Sequence, residues 1–446
     1  MDGLEDRAAA AVEPASQRKG DWGLVAMLLF FYCLAFLDRS VFALLVPAIK
    51  ASMGFTDVQI SLLGGLAFAI FFAIFGPVFG WLVDRAPRRA VIFGGVSVWS
   101  LSTIACGLAR TFGHLFIGRV GTGAGEAALS PAAYSMLADS FPPRRLTFAL
   151  AVYACGAMIG AAAAMGAGAA TMALLPAHGL AIPGLGLMEP WRLTFIVVGA
   201  PGLVTAGLIF LKRDPTRGGT KGAGAAGWGD VGRFMRRRWR LMLGHMGGCT
   251  LSFMAGAGTT TWTPTFMVRH FGFTIPQAGL AVAAMSGVFG TLGFLTGGRM
   301  VDFLFARGEK AAHQIYPIGL IIVAASSVAV AFTTNNVLVF FACQSLSQFC
   351  VPLSAIAPAA LQIVTPPQMR GRVSSIWLLL STLIPYSLGP TFTAALTQYL
   401  FKDPLAVGKA IALQYAILGP LAVLLLLTAI GPMRRAVEEA KAWAID

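Results

Sequence analysis

Charge is what this sequence has least of. Only 12% of its 446 residues are Asp, Glu, Lys or Arg, about half the share found in an ordinary soluble domain. Too little polar surface remains to cover a water-soluble globule of this length, since 57% of the residues are hydrophobic. Histidine is scarce as well. His114, His178, His245, His270 and His313 are scattered among loops and segment ends, without metal-ligand or Ser/His/Asp spacing. Neither an enzyme nor a metal site is indicated. The six cysteines all fall in apolar segments and read as small packing residues, with no disulfide framework. No glycine loop of the phosphate-cradling kind is present, which argues against a nucleotide-driven pump. No filter or ring of like charge suggests a channel, and no weak alternating pattern suggests an outer-membrane barrel.

Long apolar runs are what the chain has in quantity. Hydropathy divides it into twelve segments, 22–47, 57–83, 88–109, 111–138, 145–175, 191–211, 241–269, 276–301, 312–333, 336–364, 372–400 and 408–433. Each is long enough to cross a bilayer as a helix, and helices must then satisfy the backbone. The reading is an all-α integral membrane protein. The first run is too long and too charged for a cleaved signal peptide.

The net charge of +14 is explained by its placement. With the N-terminus inside, 25 of the 33 basic residues fall in inner segments and six in outer loops. That asymmetry puts both termini in the cytoplasm, with the basic face toward anionic lipid, and the expected location is a bacterial inner (plasma) membrane. Nucleic acid is not an expected partner. The division is a tail (1–21), a first half (22–211), a basic linker (212–240), a second half (241–433) and a second tail (434–446). Within the linker, DVGRFMRRRWR reads either as a short amphipathic helix on the inner membrane surface or as a solvated basic loop.

The halves repeat. LAFLDRSVFALLVP (34–47) aligns with LSFMAGAGTTTWTP (251–264), Asp84 in GWLVDR with Asp302 in GRMVDF, and FPPRRLTFA (141–149) with TPPQMRGRVS (365–374), at offsets of 217, 218 and 224. Six plus six helices in parallel repeat describe a secondary transporter with its site between the halves.

Gly80, Asp84, Arg85, Arg88 and Arg89 match the G-x-x-x-D-R-x-x-R-R loop motif of the major facilitator superfamily, and LFIGRVGTGAGEAA is similar to that superfamily's fourth-helix motif. FLDRSVFALLVPAIK, together with GRVGTGAGEAALSPAAYSMLADSFPPRRLTFALAVY, most resembles the Spinster family. The resemblance implies the major facilitator fold and a proton-linked carrier of an amphiphilic lipid, such as a lysophospholipid or sphingoid phosphate. It implies no cofactor, the proton gradient being the energy source, and a monomer. Lipids, protons and a small amphiphile are then the partners. GAMIGAAAAMGAGAA in the fifth segment lacks the Gly-Pro signature of many antiporters, which leaves the coupling direction open.

Asp38, Arg39, Arg119 and Glu126 are the ionisable residues well inside the segments. Each costs about 2.5–3.5 kcal/mol at a helix centre, so they must face the interior, water or each other. With the first helix ending near Pro47 and the fourth starting near Thr111, Asp38, Arg39 and Arg119 share a layer, permitting an Asp38–Arg119 pair, and Glu126 lies roughly 10 Å deeper than Arg119. Asp38 and Glu126 are the expected proton carriers, with Arg39 and Arg119 tuning them or binding an anionic headgroup. The bland alternative is a permanently paired cluster holding two helices together. In the second half these charges align with Ala255, Gly256, Cys343 and Cys350. There the expected lining is Phe253, Thr259, Thr260, Trp262, Gln344, Gln348, Phe349 and Tyr386, suited to an apolar body, although ordinary helix packing explains many of these singly. The resemblance makes Gly80, Asp84, Arg85, Arg88 and Asp302 the cytoplasmic gate. The alternative function is a proton-coupled carrier of a small organic anion, sugar or drug.

Overall fold

The computed structural model describes residues 20–55, 59, 62–63, 67–176, 179–183, 186–216, 227–273 and 275–442. Parts of both expected tails, of the linker and of the start of the second segment lie outside the described residues.

Helices dominate. The first half holds α1 (Trp22–Met53), α2 (Ala67–Arg85), α3 (Arg88–Gly107), α4 (Phe112–Glu126), α5 (Leu129–Ser140), α6 (Pro143–Leu174) and α7 (Pro190–Thr205). Linker helix α8 (Trp228–Arg237) follows. The second half holds α9 (Gly248–Phe271), α10 (Ile275–Met285), α11 (Thr291–Ala306), α12 (Ala312–Ala331), α13 (Val337–Phe349), α14 (Leu353–Val364), α15 (Arg370–Ala395) and α16 (Val407–Ala442). Between α6 and α7 lies an antiparallel hairpin, β1 (Leu180–Ile182) on β2 (Gly186–Met188), with Ala181 opposite Leu187. Hydropathy gives no sign of it.

Nine helical stretches among the described residues are long and apolar enough to cross a membrane. With side chains such as Val204 and Leu338 presented outward, they make this a multi-pass integral membrane protein. The remaining expected segments differ for local reasons. Segment 111–138 is two helices, because the backbone leaves the α-helix at Ala127–Ala128. Segment 336–364 is one of the nine, as Val337–Val364, although it has a similar break between Phe349 and Leu353, 224 residues after the first. In 241–269 a π turn precedes α9, and Thr259, Thr260, Thr261 and Thr263 lower its hydropathy. Helix α1 runs past position 47 to Met53, and α16 continues into the expected tail as far as Ala442.

Caps repeat with the sequence. Gly54 closes α1 at φ 66° and Gly272 closes α9 at φ 71°, both in the left-handed region where glycine carries no Cβ penalty. Asp21 starts α1 by accepting Leu24 N–H at 2.9 Å, and its carboxylate also receives Lys212 Nζ at 2.9 Å. Arg238 pairs with Glu439 at 2.5 Å. Both described chain ends are therefore tied to the linker at one face of the molecule, termed here the terminal face.

The two faces are packed differently. Toward the terminal face one continuous apolar core joins the halves, with Leu28, Ile92, Met136 and Leu150 of the first meeting Phe294, Ala359, Val364 and Met433 of the second. Toward the opposite face each half has its own core. One is built around Val41, Leu45, Leu115 and Trp191, the other around Phe266, Val328, Phe340 and Ile411.

Candidate functional site

The buried charges gather between α1 and α4. The Arg119 guanidinium lies over the Phe42 ring at 4.7 Å, which sets the register of the two helices. Arg39 lies three residues inward of Phe42 on α1, and Glu126 seven inward of Arg119 on α4. The difference of about 6 Å along the axes is spanned by the long arginine side chain. Arg39 Nη2 donates to Glu126 Oε2 at 2.6 Å. The ion pair in this cluster is thus Arg39–Glu126, and the Asp38–Arg119 pair that helix lengths permitted is not what forms. Asp38 Oδ2 instead accepts from Thr103 Oγ1 on α3 at 3.2 Å. Arg119 Nε donates to the Leu63 carbonyl at 3.3 Å.

The two acids and Arg119 are enclosed, whereas Arg39 keeps 29% of its side chain exposed. Asp38 and Arg119 are each 2% exposed and Glu126 3%. The second oxygens, Asp38 Oδ1 and Glu126 Oε1, are buried and accept nothing from the described residues. Rings bound the cluster, with the Arg39 guanidinium 4.7 Å from the centre of Phe36 and 5.7 Å from that of Phe72. These contacts stabilise a cation out of water. Glu126 is the last residue of α4, directly before the turn that splits the fourth segment.

Sequence reasoning missed a tyrosine group beside this pair. Tyr32 stacks on Tyr153 at 4.4 Å, Tyr134 meets Tyr153 edge-on at 5.9 Å, and Ser130 Oγ shares a hydrogen bond of 3.2 Å with the Tyr153 hydroxyl. Tyr32, Ser130, Tyr134 and Tyr153 lie on α1, α5 and α6, and no linear spacing links them. Tyr386 of α15 lies near Arg39 and Tyr32, so the second half faces the charged cluster.

Half of the expected second-half lining is engaged within the protein. Thr259 is buried, its hydroxyl donating to Ala255 O at 3.1 Å, whereas Thr260 is exposed and donates to Gly256 O at 2.9 Å. Trp262 Nε1 donates to Pro390 O at 3.0 Å, and Phe253 lies 5.9 Å from Trp377. Gln344 is buried, while Gln348 and Phe349 are half-buried beside the break before α14 and Tyr386 is 71% exposed. A separate crevice of about 290 Å³ between α3 and α4, lined by Ser102, Ala105, His114 and Ile117, holds none of the buried acids or arginines.

At the terminal face the gate residues make the contacts that join the halves. Asp84 Oδ1 accepts Gly371 N–H at 2.8 Å, and Oδ2 accepts Arg372 N–H at 3.3 Å and Arg372 Nε at 2.8 Å. A carboxylate here caps the start of α15, where exposed N–H groups favour negative charge. Asp302 reaches α6 one turn in from its start, accepting Thr147 N–H at 3.2 Å and Phe148 N–H at 2.8 Å. Gly80 permits the approach, since a Cβ there would stand 2.6 Å from Ser375 Oγ and 2.7 Å from Gly371 O.

The two arginines behave differently from the gate pattern. Arg85 is exposed and lies over Trp81 at 4.5 Å, so its described ring contact is within its own helix. Arg88 is fully buried and binds Asp139 at 2.5 Å and Asp214 at 2.7 Å. Among the described residues it reaches the other half only through Asp139, which also receives Arg370 at 2.8 Å. Asp139, Asp214, Arg370, Arg372 and Thr147 lay outside the expected site. Their charges sit at segment ends, where topology alone accounts for them.

A helical bundle whose halves meet through capped helix ends, with buried charge between its first and fourth spans, is the architecture of a membrane carrier. The profile of the Major Facilitator Superfamily matches residues 28–311, and the chain belongs to that superfamily. It is 27% identical over 405 residues to an MFS-type efflux pump of Mycolicibacterium smegmatis, with 89% of each chain covered. It is 25% identical to protein spinster of Drosophila melanogaster, covering 90% of this chain and 67% of that one. It is also 25% identical to the hexuronate transporter of Escherichia coli, covering 82% and 87%. Among solved structures, a bacterial homolog of the human lysosomal transporter Spinster, inward-facing and unoccupied, aligns with a TM-score of 0.57 at 25% identity over 93% of this chain and 96% of that one. The transporter FucP in its outward conformation aligns at 0.71 and 16% identity over 90% and 98%, a likeness of fold. The chain is a transporter resembling the Spinster family, and not an enzyme.

Proposed function

We propose that the protein moves an amphiphilic, lipid-like substrate of the lysophospholipid or sphingoid phosphate class across the membrane by alternating access, coupled to protons. The carrying observation is the group of Asp38, Arg39, Arg119 and Glu126, buried except for part of Arg39, in which one oxygen of each carboxyl has no protein donor among the described residues. Burial favours the neutral acid and a nearby guanidinium the carboxylate. A rearrangement that draws Arg39 from Glu126, or admits water to Asp38, therefore changes proton affinity as the accessible side changes. Arg39 is the group best placed for an anionic headgroup, being partly exposed while its partner is buried. The rings of Phe36 and Phe72 and the second-half lining would take the apolar body.

In this reading the terminal face is cytoplasmic, the basic linker lies at the inner surface of a bacterial plasma membrane, and six helices on each side form the two moving bodies. The protein works as a monomer. The shared core and the Asp84 and Asp302 caps hold the cytoplasmic side closed.

A second reading, a proton-coupled carrier of a small organic anion, is favoured by the resemblance to the hexuronate transporter and to a probable L-galactonate transporter of Escherichia coli. Transport by reconstituted protein decides between them, using a panel of lysolipids, sphingoid phosphates and sugar acids with and without a pH gradient. Saturable, gradient-dependent movement of the amphiphiles is expected. Uptake confined to the sugar acids would replace the lipid reading with the second.

A further inference from the structure

The linker helix α8 is bound to the gate. Its apolar side, Val231, Phe234 and Met235, packs with Met369, Val373 and Trp377 around the start of α15. At its N-terminal end the Trp228 ring lies 5.8 Å from the Arg372 guanidinium, whose Nε binds Asp84 at 2.8 Å. The apolar face of α8 is therefore taken up by protein and not by lipid, which corrects a simple surface-lying helix.

Its other side is strongly basic. Asp230 offsets Arg233, at 2.5 Å, and Glu439 offsets Arg238. Arg236, Arg237 and Arg240 are exposed, and no carboxylate among the described residues pairs with them. Trp239 is 54% exposed and Leu243, one turn on at the entry to the apolar span, is 56% exposed. Aromatic and apolar side chains outward beside arginines mark the level of lipid headgroups.

We propose that Arg236, Arg237 and Arg240 form a binding surface for anionic phospholipid headgroups, and that its occupation stabilises the closed terminal face through Trp228 and Arg372. The sign follows from the charges brought together on closing. Arg88 of the first half, which also holds Asp214, and Arg370 of the second converge on Asp139, and Arg372 takes Asp84, so the carboxylates of the seam already have partners while Arg236 and Arg237 of α8 add positive charge beside it. Anionic headgroups offset the residual repulsion, and they hold α8 and the start of α15 as one unit. The occupant is a lipid and not free phosphate, because the exposed Trp239 and Leu243 place the arginines at a bilayer surface.

The inference rests on alternating access, and its test separates the two. Ser375, buried against Gly80, is replaced by Cys in the full chain stripped of its native cysteines. Its labelling by a soluble thiol reagent is followed in phosphatidylcholine vesicles with and without phosphatidylglycerol. Phosphatidylglycerol slows labelling by about tenfold, the order expected when a few basic residues engage an anionic surface, and inorganic phosphate has no such effect. Arg236→Gln/Arg237→Gln/Arg240→Gln abolishes the lipid dependence, and Trp228→Leu weakens it while retaining lipid binding. Asp84→Asn, which opens the latch directly, speeds labelling in both lipids. If Asp84→Asn responds and phosphatidylglycerol does not, or the triple variant keeps its lipid response, the headgroup surface is overturned. If Asp84→Asn fails to respond, the gate reading itself falls.

Discussion

Asp84 stands to Gly371 as Asp302 stands to Thr147. Each carboxylate accepts the backbone N–H of a residue near the start of a helix in the other half, at 2.8 Å and 3.2 Å. Each also accepts the following N–H, that of Arg372 or Phe148. The acids are 218 residues apart and their partners 224, the offsets at which the sequence itself repeats. The closed face is thus held by two copies of one device. Among the described residues, only the Asp84 copy adds an arginine from the opposite half.

That asymmetry ranks the two acids. Asp84→Asn removes a buried ion pair, a loss of about 3–5 kcal/mol when one partner remains, and shifts a two-state balance by roughly a hundredfold or more. Asp302→Asn loses only charge-assisted hydrogen bonds to backbone N–H groups, each about 1–2 kcal/mol. Spin labels placed at the terminal ends of α2 and α15 are expected to separate far more in Asp84→Asn than in Asp302→Asn. Equal separations would refute the ranking.

Gly80 and Gly371 oppose each other across the same seam. A Cβ at Gly371 would meet Gly80 O at 2.5 Å and Asp84 Oδ1 at 2.7 Å. Gly371→Ala should therefore weaken the latch with no change of charge. The expected outcome is a lower maximal transport rate with normal expression and melting in detergent. A fully active variant would mean that the helices separate without difficulty at this point.

Asp38→Asn and Glu126→Gln are expected to abolish proton-driven transport while leaving exchange of bound substrate. Because Glu126 is paired and Asp38 is not, Glu126→Gln also leaves Arg39 without its carboxylate, and Arg39→Gln/Glu126→Gln should be better folded than Glu126→Gln alone. Flux that keeps its full pH dependence in the folded Asp38 and Glu126 variants would return the cluster to a structural role.

Away from the membrane, Glu309 lies below the ordinary glutamate range, held there by the Arg434 guanidinium and by the Ala311 N–H. A depressed carboxylate contributes stability above its unfolded pKa and loses it as pH falls through the folded value. Glu309→Gln should thus lower the thermal midpoint slightly at pH 7, a surface pair being worth about 1 kcal/mol or less. The difference from wild type should shrink as the pH falls through the depressed folded value. A difference that persists in acid would point to a packing effect.

Composition and hydropathy alone determined that this chain crosses a membrane many times, because burying apolar length is a local property that any window of residues reports. The repeat, the Asp84 motif and the four intramembrane charges were legible for the same reason: each is a departure from apolar background at a countable position. Partner choice was not. Whether Arg39 meets Glu126 or Asp38 meets Arg119 depends on the axial offset of α1 against α4, which Phe42 under Arg119 fixes. That Thr103 serves Asp38, that tyrosines from three helices assemble beside Glu126, and that Trp228 lies against Arg372 follow likewise from how separate helices are rotated and shifted. Those quantities are set by packing between distant segments, so only the tertiary structure decided them.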